Sequence, residues 1–581
     1  MPDLKKILSA TQPLTLASTP AGFLPWLMAD LARASARRAV FIASDEAAMR
    51  ALVDAAGYFA PELEVLSFPA WDVLPYDRAS PSLRIQSERL GTLHRLQQKP
   101  GAAQLVVTTA NAAIQRTLTP FRIRQLVAKL APGERIDRDQ LAARLNAIRG
   151  GLIDLFPTGE EYALRLDFFG DEIESVRQFE PADQRTIGRI DGFTLKPASE
   201  ALLDEDSIKR FRGRYREAFG ATATGDPLYE AVSDGRRLAG MEHWLPLFED
   251  KLATLFDHLG DDAVVVRDFG SSAAADQRVE AIDDYYANRQ KAMVAQPGSY
   301  RPIDPAALYL SADEWRDAIE AQPVHLATTF AAPESEKSLD FAVESARDFA
   351  PERAQNANVY EAVVKHAARL KKGGHKVILA SYSPGARERL GNLLADHGLK
   401  HASHVESWQD AMGAADKAQA ALIVLPLDHG FTTPDVALLT EQDMLGDRLV
   451  RRRKRRKQAD AFLNELATLS PGDFVVHVDH GIGRYEGLTQ VPVAKTPHDC
   501  VAVSYAGGDK LYVPVENLEV LSRYGAESEG VTLDKLGGEA WQRRKAAMKE
   551  RIREIAHELI RTAAERALRP AEIAEAETSS Y

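Results

Sequence analysis

The sequence predicts a multi-domain α/β chain: an α/β module with a small β-rich insertion, a small α/β domain, a small β-barrel and a long C-terminal helix. Three observations carry this. Short apolar runs alternate with helically spaced segments over roughly the first 120 residues, a tight hairpin signal surrounds Gly170-Asp171, and several short strands crowd between Pro471 and Tyr524 with no helix among them. At 581 residues the chain is too long for one core and should hold about four domains.

Composition bounds the rest. No stretch of eighteen apolar residues runs uninterrupted and no charged-then-apolar signal opens the chain, so no membrane partner is expected. A single cysteine excludes an internal disulfide framework and a cysteine metal cage, and both facts point to the cytoplasm. The formal net charge of -12 confines any nucleic-acid contact to local patches.

Residues 1–120 read as strands at Leu14 to Ala17, Ala39 to Ala43, Leu63 to Phe68 and Gln104 to Thr109, with helices at Ala47 to Ala56 and Ser82 to Gln97. Such alternation means a parallel sheet covered by helices. The loop after the first strand is where such a fold cradles phosphate. Here it reads Ser18-Thr19-Pro20-Ala21-Gly22-Phe23-Leu24, with no Lys-Ser or Lys-Thr pair and a proline that removes one N–H, so no nucleotide is expected there. Asp45-Glu46 resembles an acidic magnesium motif but is better read as carboxylates at a helix N-terminus. Ser67 to Asp77 places Trp71 and Tyr76 between prolines, and a packed loop at a domain seam is favoured over a substrate-lining one. Together these features resemble the first domain of the excinuclease subunit UvrB, with its ATPase site degenerate.

In residues 121–191, Arg149 to Pro157 is a strand ended by its proline, and Ala163 to Phe169 with Glu172 to Phe179 make the hairpin. Leu164, Leu166 and Phe168 share one face, and Arg165, Asp167 and Phe169 the other; the second strand should put Ile173, Arg177 and Phe179 together. An arginine and aromatic face is either solvated or a protein-binding surface. Residues 150–185 resemble UvrB domain 2, which binds the damage-recognition subunit UvrA. That resemblance makes Arg165, Phe169, Arg177, Phe179 and Arg185 candidates for UvrA contact.

Residues 192–349 return to α/β character and should complete the first domain as a second lobe, with a core strand at Ala263 to Val266. His243 beside Trp244 lacks a placeable nucleophile or carboxylate and reads as a packed histidine. No catalytic constellation emerges. Residues 350–447 read as a separate small α/β domain with a helix at Tyr360 to Leu370 and strands at Val377 to Ala380, Leu422 to Leu425 and Val436 to Thr440. The linker 448–470 carries Arg451, Arg452, Arg453, Lys454, Arg455, Arg456 and Lys457, seven consecutive cations favoured as a solvated run, with nucleic-acid contact the alternative.

In residues 471–526, Phe474 to Val478, the run through Tyr485 and Leu488, Cys500 to Tyr505 and Lys510 to Val515 are strands, and Ala506-Gly507-Gly508-Asp509 turns the last pair. They most economically curl into a barrel. His477, Asp479 and His480 point to different faces, so no metal is expected. PGDFVVHVDHGIGRYEGL and YAGGDKLYVPVENLEVLSRY resemble the RNA-polymerase-interacting domain of bacterial transcription-repair coupling factors, a Tudor-like barrel shared with CarD-type regulators. The resemblance implies contact with the polymerase β subunit through Val491, with Leu488 and Tyr485 nearby. Filling the barrel core is the plainer alternative for each. Pro492 and the loop to Pro497 should limit the strand that carries Val491.

Residues 527–581 hold a helix at Trp541 to Leu568 with one apolar stripe, stopped by Pro570. In the resembled family this leads to a pair of motor domains. No Walker A lysine, DEAD-type box or arginine finger is found, so the chain is expected to correspond to the family's N-terminal half. ATP, Mg2+ and the main DNA contacts would then belong to the absent motor. The expected role is an adaptor between stalled RNA polymerase and UvrA, with no enzymatic activity or cofactor of its own. A CarD-like regulator acting through the barrel alone, or an independent UvrB-like ATPase or nuclease, are the alternatives.

Overall fold

The computed structural model describes residues 4–446, except 36–37, 78, 136–151, 156, 158–161, 170, 181–184, 221–225, 261–262, 296–299, 334 and 356, and then 472–477, 480–493, 496–514, 521–523, 532–536 and 541. Residues 152, 292–295, 488, 490–493, 496–499, 514 and 522–523 are described by backbone alone. The chain divides into two units, residues 1–453 and 454–581.

The first unit is built on a seven-stranded sheet in the order Ser338–Asp340, Thr15–Ala17, Val324–Ala327, Val264–Asp268, Arg38–Ala43, Gln104–Thr109, Glu64–Phe68. Every pairing in it is parallel. Its inner strands are buried on both faces, which is why they read as unbroken apolar runs: Val40 and Ile42 enter one core, Phe41 and Ala43 the other. The four early strands lie where their apolar runs place them. Residues 192–349 do not form a second lobe. Val264–Asp268 and Val324–Ala327 insert between Thr15–Ala17 and Arg38–Ala43, and Ser338–Asp340 adds the edge beside Thr15–Ala17, so both stretches complete one sheet.

A six-stranded sheet follows, ordered Glu344–Ser345, Phe431–Thr432, Val436–Thr440, Lys376–Ser381, Ala420–Val424, Ala402–His404. The sequence reading sets residues 350–447 apart as a domain, but one face of this sheet shares its core with the first. Ile378, Ala380, Ile423 and Leu438 join the cluster that holds Leu16, Phe23 and Phe41. An aromatic seam fixes it: Phe23 meets Phe431 at 5.4 Å, Trp26 meets Trp408 at 5.1 Å and Phe59 meets Trp408 at 4.8 Å between ring centroids. The helix Leu24–Ser35, apolar on both sides of its axis, is what permits this double contact.

Three buried histidines of this unit, His243, His258 and His325, are held neutral. Burial lowers His243 to about 3, with Arg278 and Arg289 adding to it, and its ring lies against Trp71 at 5.4 Å and Tyr76 at 5.8 Å. It is a packed histidine, as its isolation in the sequence suggests. Burial also lowers His258 and His325 to about 4 each. The Leu14 N–H donates to Nδ1 of His325 at 3.2 Å, a bond that protonation of that nitrogen would break. All three titrate in the folded chain below the ordinary value of about 6.5, so the unfolded chain binds more protons in that window and acid favours unfolding. Stability is therefore expected to fall by about 2 kcal/mol in total between pH 7.5 and pH 6.0, read as a lower urea midpoint. An unchanged midpoint would show that these rings are hydrated.

Candidate partner-binding surfaces

The inserted β-rich segment is a four-stranded antiparallel sheet ordered Thr186–Ile190, Glu172–Phe179, Ala163–Phe169, Leu152–Leu155. Its covered face packs Ile153, Leu164, Leu166, Ile173 and Val176 against Leu130 and Phe193, which lie on a separate strand pair. The expectation that Ile173 shares a face with Arg177 and Phe179 is corrected here. Asp167 pairs with Ser175 and Phe168 with Ile173, so Glu174 is the extra residue of a bulge that turns Ile173 into the core.

The opposite face carries a row of charge. Asp154 pairs with Arg165, Arg165 with Arg177, and Arg177 with Arg189, one residue from each strand in register. Like charges opposite one another repel, and two carboxylates offset this. Arg165 donates to both oxygens of Asp154 at 2.6 Å each and stacks its guanidinium over Phe179 at 4.5 Å. Arg177 donates to Asp167 at 2.9 and 2.7 Å. Partial burial works to raise the Asp167 carboxyl, but the hydrogen bonds from Arg177 and Ser175 outweigh it and hold it below the usual range.

The candidates thus fall into different environments. Arg165 and Arg177 are half-buried in ion pairs, and Phe179 is only 4% exposed beneath Arg165, which takes it from the contact surface. Phe169 stands 83% exposed at its strand end. Arg185 is exposed, and its carbonyl accepts from the Glu180 N–H at 2.9 Å. The sequence reading missed two residues. Arg189 is exposed and, among the described residues, has no carboxylate within ion-pair distance; Ile187, 49% exposed, shares its strand. Their signal was a strand of five residues, too short to align by alternation alone.

The second unit holds a five-stranded antiparallel sheet ordered Lys510–Pro514, Thr496–Ser504, Gly481–Val493, Phe474–His477, Leu521–Arg523. Gly507 and Gly508 both take positive φ, 93° and 88°, at the turn the sequence marks. Tyr485, 6% exposed, packs with Val475, Val501, Val503 and Tyr505, so it fills the core and is corrected as a surface candidate. The strand does not stop at Pro492. It runs to Val493, with Val491 opposite His498 and Pro492 opposite Pro497, a pair in which neither residue has an N–H to lose. Leu488 lies opposite Val501, and the side chains of Leu488 and Val491 are outside the described residues. The basic run from Arg451 to Lys457 and the helix beyond Trp541 also lie outside them. No group of three or more metal-ligating side chains forms among the described residues.

The loop from Ser18 to Phe23 spends three of its backbone donors on protein carbonyls. The N–H groups of Ser18 and Thr19 donate to the carbonyls of Phe330 and Thr328 at 3.0 and 2.9 Å, and that of Phe23 to Pro20 at 2.8 Å. Asp45 caps the helix Glu46–Phe59, accepting from the Ala48 N–H at 2.8 Å. Trp71 and Tyr76 are buried, and the Trp71 indole N–H donates to Glu200 at 3.1 Å, so the proline-framed segment is a packed loop.

Three segments match known families: residues 146–200 the UvrB interaction domain, residues 370–444 the MFD D3 domain, and residues 469–525 the CarD-like/TRCF RID domain. The chain is 32% identical over 565 residues to the transcription-repair-coupling factor of Escherichia coli K12, covering 93% of this chain and 48% of that protein. The corresponding protein of Rickettsia conorii is 30% identical, with the same coverage of 93% and 48%. That of Haemophilus influenzae is 32% identical, covering 87% of this chain and 45% of its own length. The chain spans about half the length of these curated relatives.

Proposed function

Because this chain belongs to the transcription-repair-coupling factor family, we propose that it is an adaptor that holds stalled RNA polymerase with one domain and recruits UvrA with another. The observation that carries the reading is that one chain joins a UvrB interaction domain to a CarD-like/TRCF RID domain. The RID sheet curls into a barrel and grips the polymerase β subunit through Val491 and Leu488. The charged face of the four-stranded sheet meets UvrA through Phe169, Arg189 and Arg185, with Arg165 and Arg177 setting the field. A CarD-like regulator would leave that face without a use.

ATP-driven translocation, Mg2+ and the main grip on DNA belong to the part of the relatives that this chain does not match. In support, the loop at Gly22 spends the N–H groups of Ser18, Thr19 and Phe23 on protein carbonyls and holds no lysine for phosphate. No helix among the described residues is long and apolar enough to cross a membrane, which fits action in the cytoplasm.

Co-elution tests both handles. Val491→Arg places a charge in an apolar contact and is expected to abolish the complex with the N-terminal region of the β subunit, while circular dichroism stays unchanged. Absence of a complex with the wild-type chain would sink the polymerase reading. Arg189→Glu, which breaks no ion pair among the described residues, is expected to weaken UvrA binding at least tenfold, about 1.4 kcal/mol, at constant melting temperature. Undiminished UvrA binding would remove this face from the interface.

A further inference from the structure

In the second unit the chain returns to its own sheet after the last strand. Residues 532–536 lie across the turn that joins Phe474–His477 to Gly481–Val493. Asp534 is the centre of this contact and is buried. Its N–H donates to the Ile482 carbonyl at 2.9 Å, and its own carbonyl accepts from the Ala506 N–H at 2.8 Å. Its carboxylate Oδ2 accepts from the Ile482 N–H at 2.9 Å. A backbone N–H bound to a carboxylate is about twice as strong as one bound to a neutral acceptor. Leu536 adds an apolar contact to the sheet's core.

Gly481 is shaped to this arrangement. Its φ is +82°, and a Cβ there would lie 2.3 Å from Oδ2 of Asp534 and 3.0 Å from the Trp541 indole. The glycine serves the turn and also leaves room for the returning chain and for Trp541. The His480-Gly481-Ile482-Gly483 motif is therefore half of a two-part device whose other half lies some fifty residues later.

We propose that Thr532–Leu536 is a strap, latched by Asp534, that gears the chain continuing past Trp541 to the five-stranded sheet. Without it, only covalent continuity would join that chain to the sheet. With it, a displacement of the following segment is delivered to the sheet. The strap does not depend on polymerase binding, so the two can fail independently.

The test places spin labels at Tyr512→Cys and Lys535→Cys, both exposed, with the native Cys500 buried. The labelled chain, and its Asp534→Asn form, which keeps an acceptor oxygen, should each give one narrow distance. Asp534→Ala should broaden it and speed amide exchange at Ile482 and Ala506 at least tenfold, with Val501 and Val503 unchanged. Gly481→Ala, which leaves Asp534 in place, should release the strap in the same way. A narrow distance in both Asp534→Ala and Gly481→Ala would overturn the proposal. So would accelerated exchange at Val501 and Val503 in Asp534→Ala, because Asp534 would then be holding the sheet itself.

Discussion

Glu200→Ala should cost the first unit about 3–5 kcal/mol, the penalty for leaving a buried charge without its partner. Arg89 and Glu200 have side chains 0% exposed, with Nε to Oε1 at 2.5 Å and Nη2 to Oε2 at 3.3 Å. The arginine also donates to the Pro69 carbonyl at 2.9 Å and lies over the Phe68 ring at 4.3 Å, and the glutamate accepts from Trp71. Removing the carboxylate strands a guanidinium that no water reaches and loosens the loop above it. Replacing both residues, Arg89→Met with Glu200→Leu, should recover most of the loss, since a buried pair exchanged for apolar groups of similar size is often neutral. Urea midpoints of the three variants decide the matter. A loss under about 1 kcal/mol for Glu200→Ala would mean that the arginine finds another route to water.

The second large effect is expected at Gly22, where alanine should cost about 3 kcal/mol. A Cβ there would sit 2.0 Å from the His429 carbonyl oxygen and 3.2 Å from that of Gly430. Both obstacles are backbone, so no side-chain rotation relieves the clash. The aromatic seam formed by Phe23, Trp26, Phe431 and Trp408 would have to part. Calorimetry should show a lower transition, with residues 350–446 melting ahead of the parallel sheet. Ala21→Ser, one position earlier and exposed, is the control and should shift stability by less than about 0.5 kcal/mol. Equal behaviour of the two variants would refute the close approach.

Much of the fold was legible because fully buried parallel strands leave unbroken apolar runs, as at Arg38–Ala43 and Gln104–Thr109. Their order was not. Nothing local to Val264–Asp268 says that it lies between strands from opposite ends of the module. The seam at Gly22 was equally hidden, because a glycine that meets a backbone four hundred residues away looks like any loop glycine. On the candidate surfaces, alternation placed Arg165 and Asp167 on one face correctly, and a single bulged residue then reversed Ile173. Aromatic residues were the weakest guide. Phe169, Phe179 and Tyr485 are equally plausible anchors by type, yet only Phe169 is exposed, because period-two spacing names the two faces and cannot say which is covered.

The interleaved parallel sheet also sets a timetable for synthesis. Thr15–Ala17 finds its two neighbours only at Val324–Ala327 and Ser338–Asp340, roughly three hundred residues later. Arg38–Ala43 waits more than two hundred residues for Val264–Asp268. At about 5–20 residues per second, the nascent N-terminal strands spend on the order of tens of seconds with apolar edges unpaired. A ribosome stalled before residue 324 would display the template that recruits stray strands, so the module's solubility during translation depends on what shields those edges, with chaperones the natural guardians.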